Sequence, residues 1–206
     1  MAVAQRALVA IVDDDVAVRD SLALLLRLHG FGVQAFASGE QFLDWAGTQF
    51  VDCVLLDLRM SAMSGLDVQG ALASRGLDYP IIVVTAHGDV ATTRAALKAG
   101  AFDFIEKPFD DEVLLKAIRA ASATSAERRT RSERQTRFSQ SLARLTPRER
   151  EVLDHVLAGQ HNREIAVLLA ISPRTVEVYK ARIMDKLGVD RLPDLIRLAL
   201  EMGLGR

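Results

Sequence analysis

Short apolar runs and amphipathic stretches alternate through the first ~120 residues of the chain. The runs are Leu8–Val12, Val33–Phe36, Cys53–Leu56, Ile81–Thr85 and Phe102–Ile105. Between them lie helix-like stretches near residues 16–28, 39–47, 66–75, 89–99 and 110–120. Strands covered on both faces read as continuous Val/Ile/Leu runs rather than as alternating ones. Five β–α units therefore predict an α/β domain with a doubly wound parallel sheet and right-handed crossovers. Gly30, Gly76 and Gly100 each close a helical stretch where a C-terminal cap glycine belongs.

The pattern then changes twice. Residues 122–140, SATSAERRTRSERQTRFSQ, hold almost no large apolar side chain and read as a linker or a helical extension of the preceding segment. From Leu145 onward the pattern predicts short helices and no strand. Thr146-Pro147-Arg148-Glu149 is a helix start, with Thr as N-cap, Pro at the first position and Glu at the third. That helix should stop at Gly159. A second should cover Asn162–Leu169, a third should run from Ser172-Pro173 to Leu187 before Gly188, and Pro193 opens a fourth. The expected boundaries are 1–121, 122–140 and 141–206.

Charge sharpens this division. The net charge is −1, but residues 1–121 carry ten Lys and Arg against sixteen Asp and Glu, a net −6. Residues 122–206 carry sixteen against eleven, a net +5. An acidic half joined to a basic half suggests two tasks, the second at a polyanion. The plain alternative is a solvated surface whose sign drifts along the chain. The one cysteine, Cys53, lies within an apolar run and reads as a small buried hydrophobe, so no internal disulfide forms. Five apolar residues ahead of Asp13-Asp14-Asp15 are too few for a signal-peptide core or a membrane span. A cytoplasmic protein with no membrane partner is expected.

The candidate chemistry sits where the runs end. Asp14 follows strand one, Asp57 strand three, Thr85 ends strand four and Lys107 follows strand five. In an open parallel sheet, ligands bind at the carboxyl ends of the strands near the switch in strand order. Carboxylates gathered there repel one another unless a cation offsets them, and Mg²⁺ favours such oxygen donors. A carboxylate can also accept a phosphoryl group. Lys107 would neutralise the phosphoryl oxygens, and the Thr85 hydroxyl would hydrogen-bond one of them. Pro108 fixes the chain direction where the lysine turns inward. The alternative, that these residues are loop residues or helix caps, is favoured for Asp15 alone but not for the four strand-end residues together.

The words IVDDD, LLDLRM, VVTAHGD and DFIEKPF resemble, in order and spacing, the motifs of bacterial response-regulator receiver domains. The resemblance implies a flavodoxin-like fold with Asp57 as phosphoacceptor. It implies Asp14, Asp57 and the Arg59 backbone carbonyl as direct Mg²⁺ ligands, with Asp13 acting through water. Thr85 and Phe104 match the family's switch pair and Lys107 its phosphate-binding lysine. One departure stands in the β3 loop, where relatives usually carry proline after the methionine of LRM and this chain has Ser61. Arg59 and His87, two residues beyond Asp57 and Thr85, would border the path of an attacking water. The competing reading, which the sequence favours, is that His87 is a solvated loop residue.

LTPREREVL, NREIAVLLAISPRTVEVYKARIMDKLGV and LPDLIRLAL resemble the LuxR-type helix-turn-helix, an all-α four-helix unit. The pair of domains is similar to the FixJ/NarL class, leaning to the FixJ branch. Val176, Ile183 and Leu187 recur at helical spacing and should be core. The resemblance puts Glu177, Val178 and Ala181 at base edges, and Thr175, Lys180 and Arg182 on phosphates. Glutamate at 177 departs from the usual basic or neutral residue; it can accept from cytosine N4 but repels phosphates. The implied partners are a sensor histidine kinase, double-stranded operator DNA, RNA polymerase and a second copy of the chain on phosphorylation. Two rivals remain at this level. One is a Mg²⁺-dependent phosphohydrolase with Asp57 as covalent nucleophile; the other is an adaptor whose C-terminal bundle binds protein.

Overall fold

The computed structural model describes residues 6–86 and 90–204. Two compact units divide at Arg129 and Thr130. In the first unit, strands β1 (Leu8–Val12), β2 (Gly32–Phe36), β3 (Cys53–Leu56), β4 (Ile81–Thr85) and β5 (Asp103–Glu106) form one parallel sheet in the order β2-β1-β3-β4-β5. Helices α1 (Val16–Leu28), α2 (Gly39–Trp45), α3 (Gly65–Ser74) and α4 (Val90–Lys98) alternate with the strands. Helix α5 (Asp111–Ala143) follows β5.

Alternate side chains of the central strands enter opposite cores, as the period of two requires. Val9, Ile11, Cys53, Leu55, Ile82 and Val84 pack with Leu22 and Leu26 of α1 and Leu114 and Ile118 of α5. Ala10, Val12, Val54, Leu56 and Val83 pack on the other face with Phe42 of α2 and Val68 and Leu72 of α3. Burying each Leu, Ile or Phe contributes about 1.5–3 kcal/mol of apolar transfer. The edge strand β2 departs from the continuous pattern, because Gln34 and Ala35 are exposed. An edge strand has solvent on one flank, so it needs no apolar run.

Strand β1 pairs with both β2 and β3, so strand order reverses beside it. Val12 lies opposite Leu56. The acidic triplet and Asp57 therefore leave the sheet side by side, at the crevice where ligands of such sheets bind. Asp15 is the N-cap of α1, its carboxylate accepting from the Ala17 N–H at 2.8 Å.

Helix α5 runs unbroken for 33 residues, through the whole 122–140 segment. That segment also buries more than its composition suggests. Ser125 is buried near Val51, and Phe138 is buried in the core of the second unit.

The second unit holds α6 (Pro147–Leu157), α7 (Asn162–Leu168), α8 (Pro173–Leu187) and α9 (Leu192–Glu201). Val152, Leu153, Ile165, Val176, Ile183, Leu187, Leu195 and Ala199 form its core with Phe138. Thr146 and Glu149 make a reciprocal capping box at α6. Ser172 caps α8, which ends at Gly188 in the left-handed conformation with φ 67°.

Candidate functional site

At the carboxyl ends of the strands, Asp57 and Asp13 are buried, with 8% and 5% of their surfaces exposed. The Lys107 ammonium lies 2.8 Å from Asp13 Oδ2 and 3.6 Å from Asp57 Oδ1. Adjacent register puts it there: Thr85 pairs with Glu106, and the Lys107 amide donates to the Thr85 carbonyl. The Lys107–Pro108 peptide is cis. The Arg59 N–H donates to Asp57 Oδ2 at 2.8 Å, and the Arg59 side chain is exposed.

One ammonium shared with Asp13 does not fully offset the burial of Asp57. Desolvation raises the Asp57 carboxyl above its ordinary pKa; Lys107 and the Arg59 amide oppose that rise, and the Asp13 charge adds to it. By contrast, burial that pushes up the Cys53 thiol leaves it an inert core residue.

Asp14 takes a different partner. It is exposed, and its Oδ2 accepts from the Ser61 N–H at 2.8 Å. With the carboxylates so placed, no group of three or more His, Cys, Asp or Glu among the described residues could hold a metal ion. The structure thus brings Asp13, Asp57 and Lys107 together and leaves Asp14 on the loop. The donor chemistry nevertheless fits a hard divalent cation: Asp13 and Asp57 are buried oxygen donors at the crevice, and Asp14 follows Asp13 in the chain.

Thr85 is 1% exposed, and its hydroxyl has no hydrogen-bond partner among the described residues. An unpaired buried hydroxyl costs about 1–3 kcal/mol, so such a group is poised for an oxygen that arrives later. Phe104, on β5, is half-buried against the core beneath α3 and α4. His87 lies outside the described residues.

One supporting residue carries no chemical signal in the sequence. A Cβ on Gly65 would stand 2.4 Å from the Asp57 carbonyl oxygen and 2.9 Å from the Leu58 Cα. The start of α3 can approach the end of β3 this closely only with glycine there.

The second unit presents a helix. Arg174, Glu177, Val178, Ala181, Arg182 and Asp185 of α8 are exposed and recur at i, i+3/i+4, i+7/i+8 and i+11, so they form one stripe. Val176, Ile183 and Leu187 are buried on the opposite face, as their spacing predicts. Arg174 carries no motif of its own in the sequence; its place in the first turn of the stripe follows from the phase of the helix. Thr175 is half-buried, its hydroxyl 2.8 Å from that of Ser172. The half-buried Lys180 donates to Asn162 Oδ1 at 3.1 Å, which leaves its ammonium two further donors. In the turn before α8, Ala170 adopts φ 54°, the one positive φ of a non-glycine among the described residues.

Glu149 is the buried carboxylate of this unit, 3% exposed. Lys186 Nζ lies 2.6 Å from it and the Thr146 N–H donates to it at 2.8 Å. Lys186 first, then the Thr146 amide, hold its carboxyl below the ordinary carboxylate range.

Residues 9–119 match the model of the response regulator receiver domain, and residues 143–199 match that of the bacterial regulatory proteins of the luxR family. The chain is 43% identical to the transcriptional regulatory protein FixJ of Azorhizobium caulinodans, over 95% of this chain and 93% of that protein. It is 42% identical to the transcriptional regulatory protein TdiR of Thauera aromatica, over 93% of this chain and 85% of that one. Among solved structures, the response regulator StyR superposes with a TM-score of 0.84 at 40% identity, covering 95% of this chain and 99% of that one. Full-length FixJ from B. japonicum superposes with a TM-score of 0.59 at 38% identity, covering 96% and 97%. No helix among the described residues is long and apolar enough to cross a membrane. The chain belongs to the response regulators of two-component systems, with a receiver domain followed by a LuxR-type DNA-binding domain and a role in transcriptional regulation.

Proposed function

We propose that the chain is a phosphorylation-controlled transcription factor with Asp57 as its phosphoacceptor. The observation that carries this reading is the placement of Asp57. It is a buried carboxylate at the end of β3, with the Lys107 ammonium at 3.6 Å and a carboxyl raised by burial. A sensor histidine kinase supplies the phosphoryl group. An Asp57 oxygen forms the new bond to phosphorus, the phosphorus–nitrogen bond breaks, and the imidazole leaves with the electron pair and takes a proton. Asp13, Asp14, Asp57 and the Arg59 carbonyl are the oxygens that would hold Mg²⁺, which when bound screens the negative charge of the incoming group. Lys107 neutralises the phosphoryl oxygens.

The unpartnered Thr85 hydroxyl then donates to a phosphoryl oxygen, and Phe104 turns inward behind it. The face that responds is that of α4 and β5, near residues 90–105, where Val90 is 74% exposed and Leu97 49% exposed. Burial of these apolar groups against a second receiver favours a dimer. Moving such an equilibrium from 1:99 to 99:1 takes about 5.5 kcal/mol. Two α8 helices are thereby presented to two operator half-sites. Glu177, Val178 and Ala181 face base edges, and Thr175, Lys180 and Arg182 face phosphates. With a kinase, operator DNA and RNA polymerase as partners, the protein works in the cytoplasm.

The test is retardation of genomic DNA fragments with and without a small acyl-phosphate donor, on the wild type and Asp57→Asn. Donor-dependent retardation in the wild type only is expected; equal retardation of both overturns the reading.

A further inference from the structure

One short loop between β3 and α3 holds two pocket carboxylates with backbone amides. The Arg59 N–H donates to Asp57 Oδ2 and the Ser61 N–H donates to Asp14 Oδ2, each at 2.8 Å. The two carboxylates differ in everything else. Asp57 is buried and faces Lys107, whereas Asp14 is exposed and has no ion-pair partner among the described residues. The Ser61 amide is thus the group that fixes where the Asp14 carboxylate points.

We propose that the Ser61 amide is a latch. It holds Asp14 on the loop and away from Asp13 and Asp57, so that capture of a divalent cation requires this hydrogen bond to break. The inference deepens the phosphoacceptor reading and rests on it. Two observations set its direction. The bond has the short length of a charge-assisted contact, so breaking it opposes cation binding. With the bond made, no three carboxylates stand where they could hold a metal ion. An amide that merely aimed Asp14 into the pocket would leave the three convergent with the bond intact. The donor exists because residue 61 is not proline, which has no N–H. Ser61 is therefore a positioning residue that sets the cation concentration at which the pocket fills.

The test is titration of the unphosphorylated full chain with Mg²⁺ by calorimetry. Ser61→Ala keeps the N–H and should match the wild type. Ser61→Pro removes it and should bind Mg²⁺ about tenfold more tightly. Unchanged or weaker binding by Ser61→Pro overturns the latch. Because proline also restricts Met60, a second measurement uses the wild type alone. The Ser61 amide resonance should lie downfield and exchange slowly without Mg²⁺, then move upfield and exchange faster at saturation. An unmoved Ser61 resonance in a wild type that binds Mg²⁺ overturns the latch alone. Absence of Mg²⁺ binding in every variant overturns the pocket reading and the latch with it.

Discussion

Asp57 and Glu149 are both buried carboxylates with a lysine nearby, and their environments push them in opposite directions. Glu149 has an ammonium at 2.6 Å and a backbone amide at 2.8 Å, and its carboxyl is held low. Asp57 shares its more distant ammonium with Asp13, and its carboxyl is raised. A satisfied buried charge is a structural fastening. An under-compensated one is a site that awaits a partner, and local stability is sacrificed to keep it so. The unpartnered Thr85 hydroxyl beside it belongs to the same design.

The sharpest break of this contrast is Asp57→Asn. Label uptake from an acyl-phosphate donor should fall to background, while the thermal midpoint in metal-free buffer should rise by a few degrees because no charge is left buried. Normal uptake at the wild-type rate would remove Asp57 from its role. The corresponding change in the second unit has the opposite sign. Lys186→Met strands Glu149 and should cost about 2 kcal/mol, below the figure for fully buried pairs because Lys186 is one-third exposed. Calorimetric unfolding of the full chain checks it; an unchanged C-terminal transition would make the pair incidental.

The two carboxylates should also differ in the sign of their pH dependence. Asp57 has a raised folded pKa, so its contribution is fully present below the ordinary carboxylate value and is lost as pH rises through the folded value. The stability gained by Asp57→Asn should therefore grow toward neutral pH and vanish in acid. Glu149 has a lowered folded pKa, so its contribution is present above the ordinary value and lost as pH falls through the folded one. The cost of Glu149→Gln should accordingly shrink in acid. Denaturant unfolding from about pH 3 to 7 compares both variants with the wild type. Parallel pH profiles would mean the two sites are electrostatically alike.

What the sequence discloses follows the same division. Strand-end placement of Asp57, Thr85 and Lys107 depends on where apolar runs stop and on β1, β3, β4 and β5 being neighbours, so it is readable from the pattern; that Asp13 rather than Asp14 takes the Lys107 ion pair is not. The partner of Asp14 is not, because a backbone amide donor leaves no mark on the sequence beyond the absence of proline at 61. Gly65 is one glycine among thirteen, and its contact with the Asp57 carbonyl exists only after α3 packs. Phe138 lies in a stretch whose composition reads as linker, yet the helix through 122–140 delivers it to a core built mostly from residues after 150. In α8 the buried positions follow from helical spacing, whereas the hydrogen bond from Lys180 to Asn162 depends on how α7 crosses it.

On the α8 stripe the expected effects are smaller. Arg182→Ala should weaken binding about uniformly across DNA sequences and lower the salt slope by roughly one unit. Lys180→Ala should do the same through the two ammonium donors that Asn162 leaves open. Equal slopes for wild type and Arg182→Ala would take this side chain off the backbone.

The smallest effect concerns the turn between α7 and α8. Ala170 holds φ 54°, a conformation in which an L side chain crowds the following carbonyl at a cost of about 1 kcal/mol. Glycine relieves that crowding but loses more backbone entropy on folding, which returns roughly half the gain. Ala170→Gly should therefore stabilise the second unit by only about 0.5 kcal/mol. The turn orients α8, so the variant should also keep wild-type DNA affinity at a given salt concentration. A drop in the C-terminal thermal midpoint would show that the alanine methyl makes a packing contact worth more than the strain. An unchanged midpoint with weakened binding would instead show that the strain holds α8 at the angle that the two half-sites require.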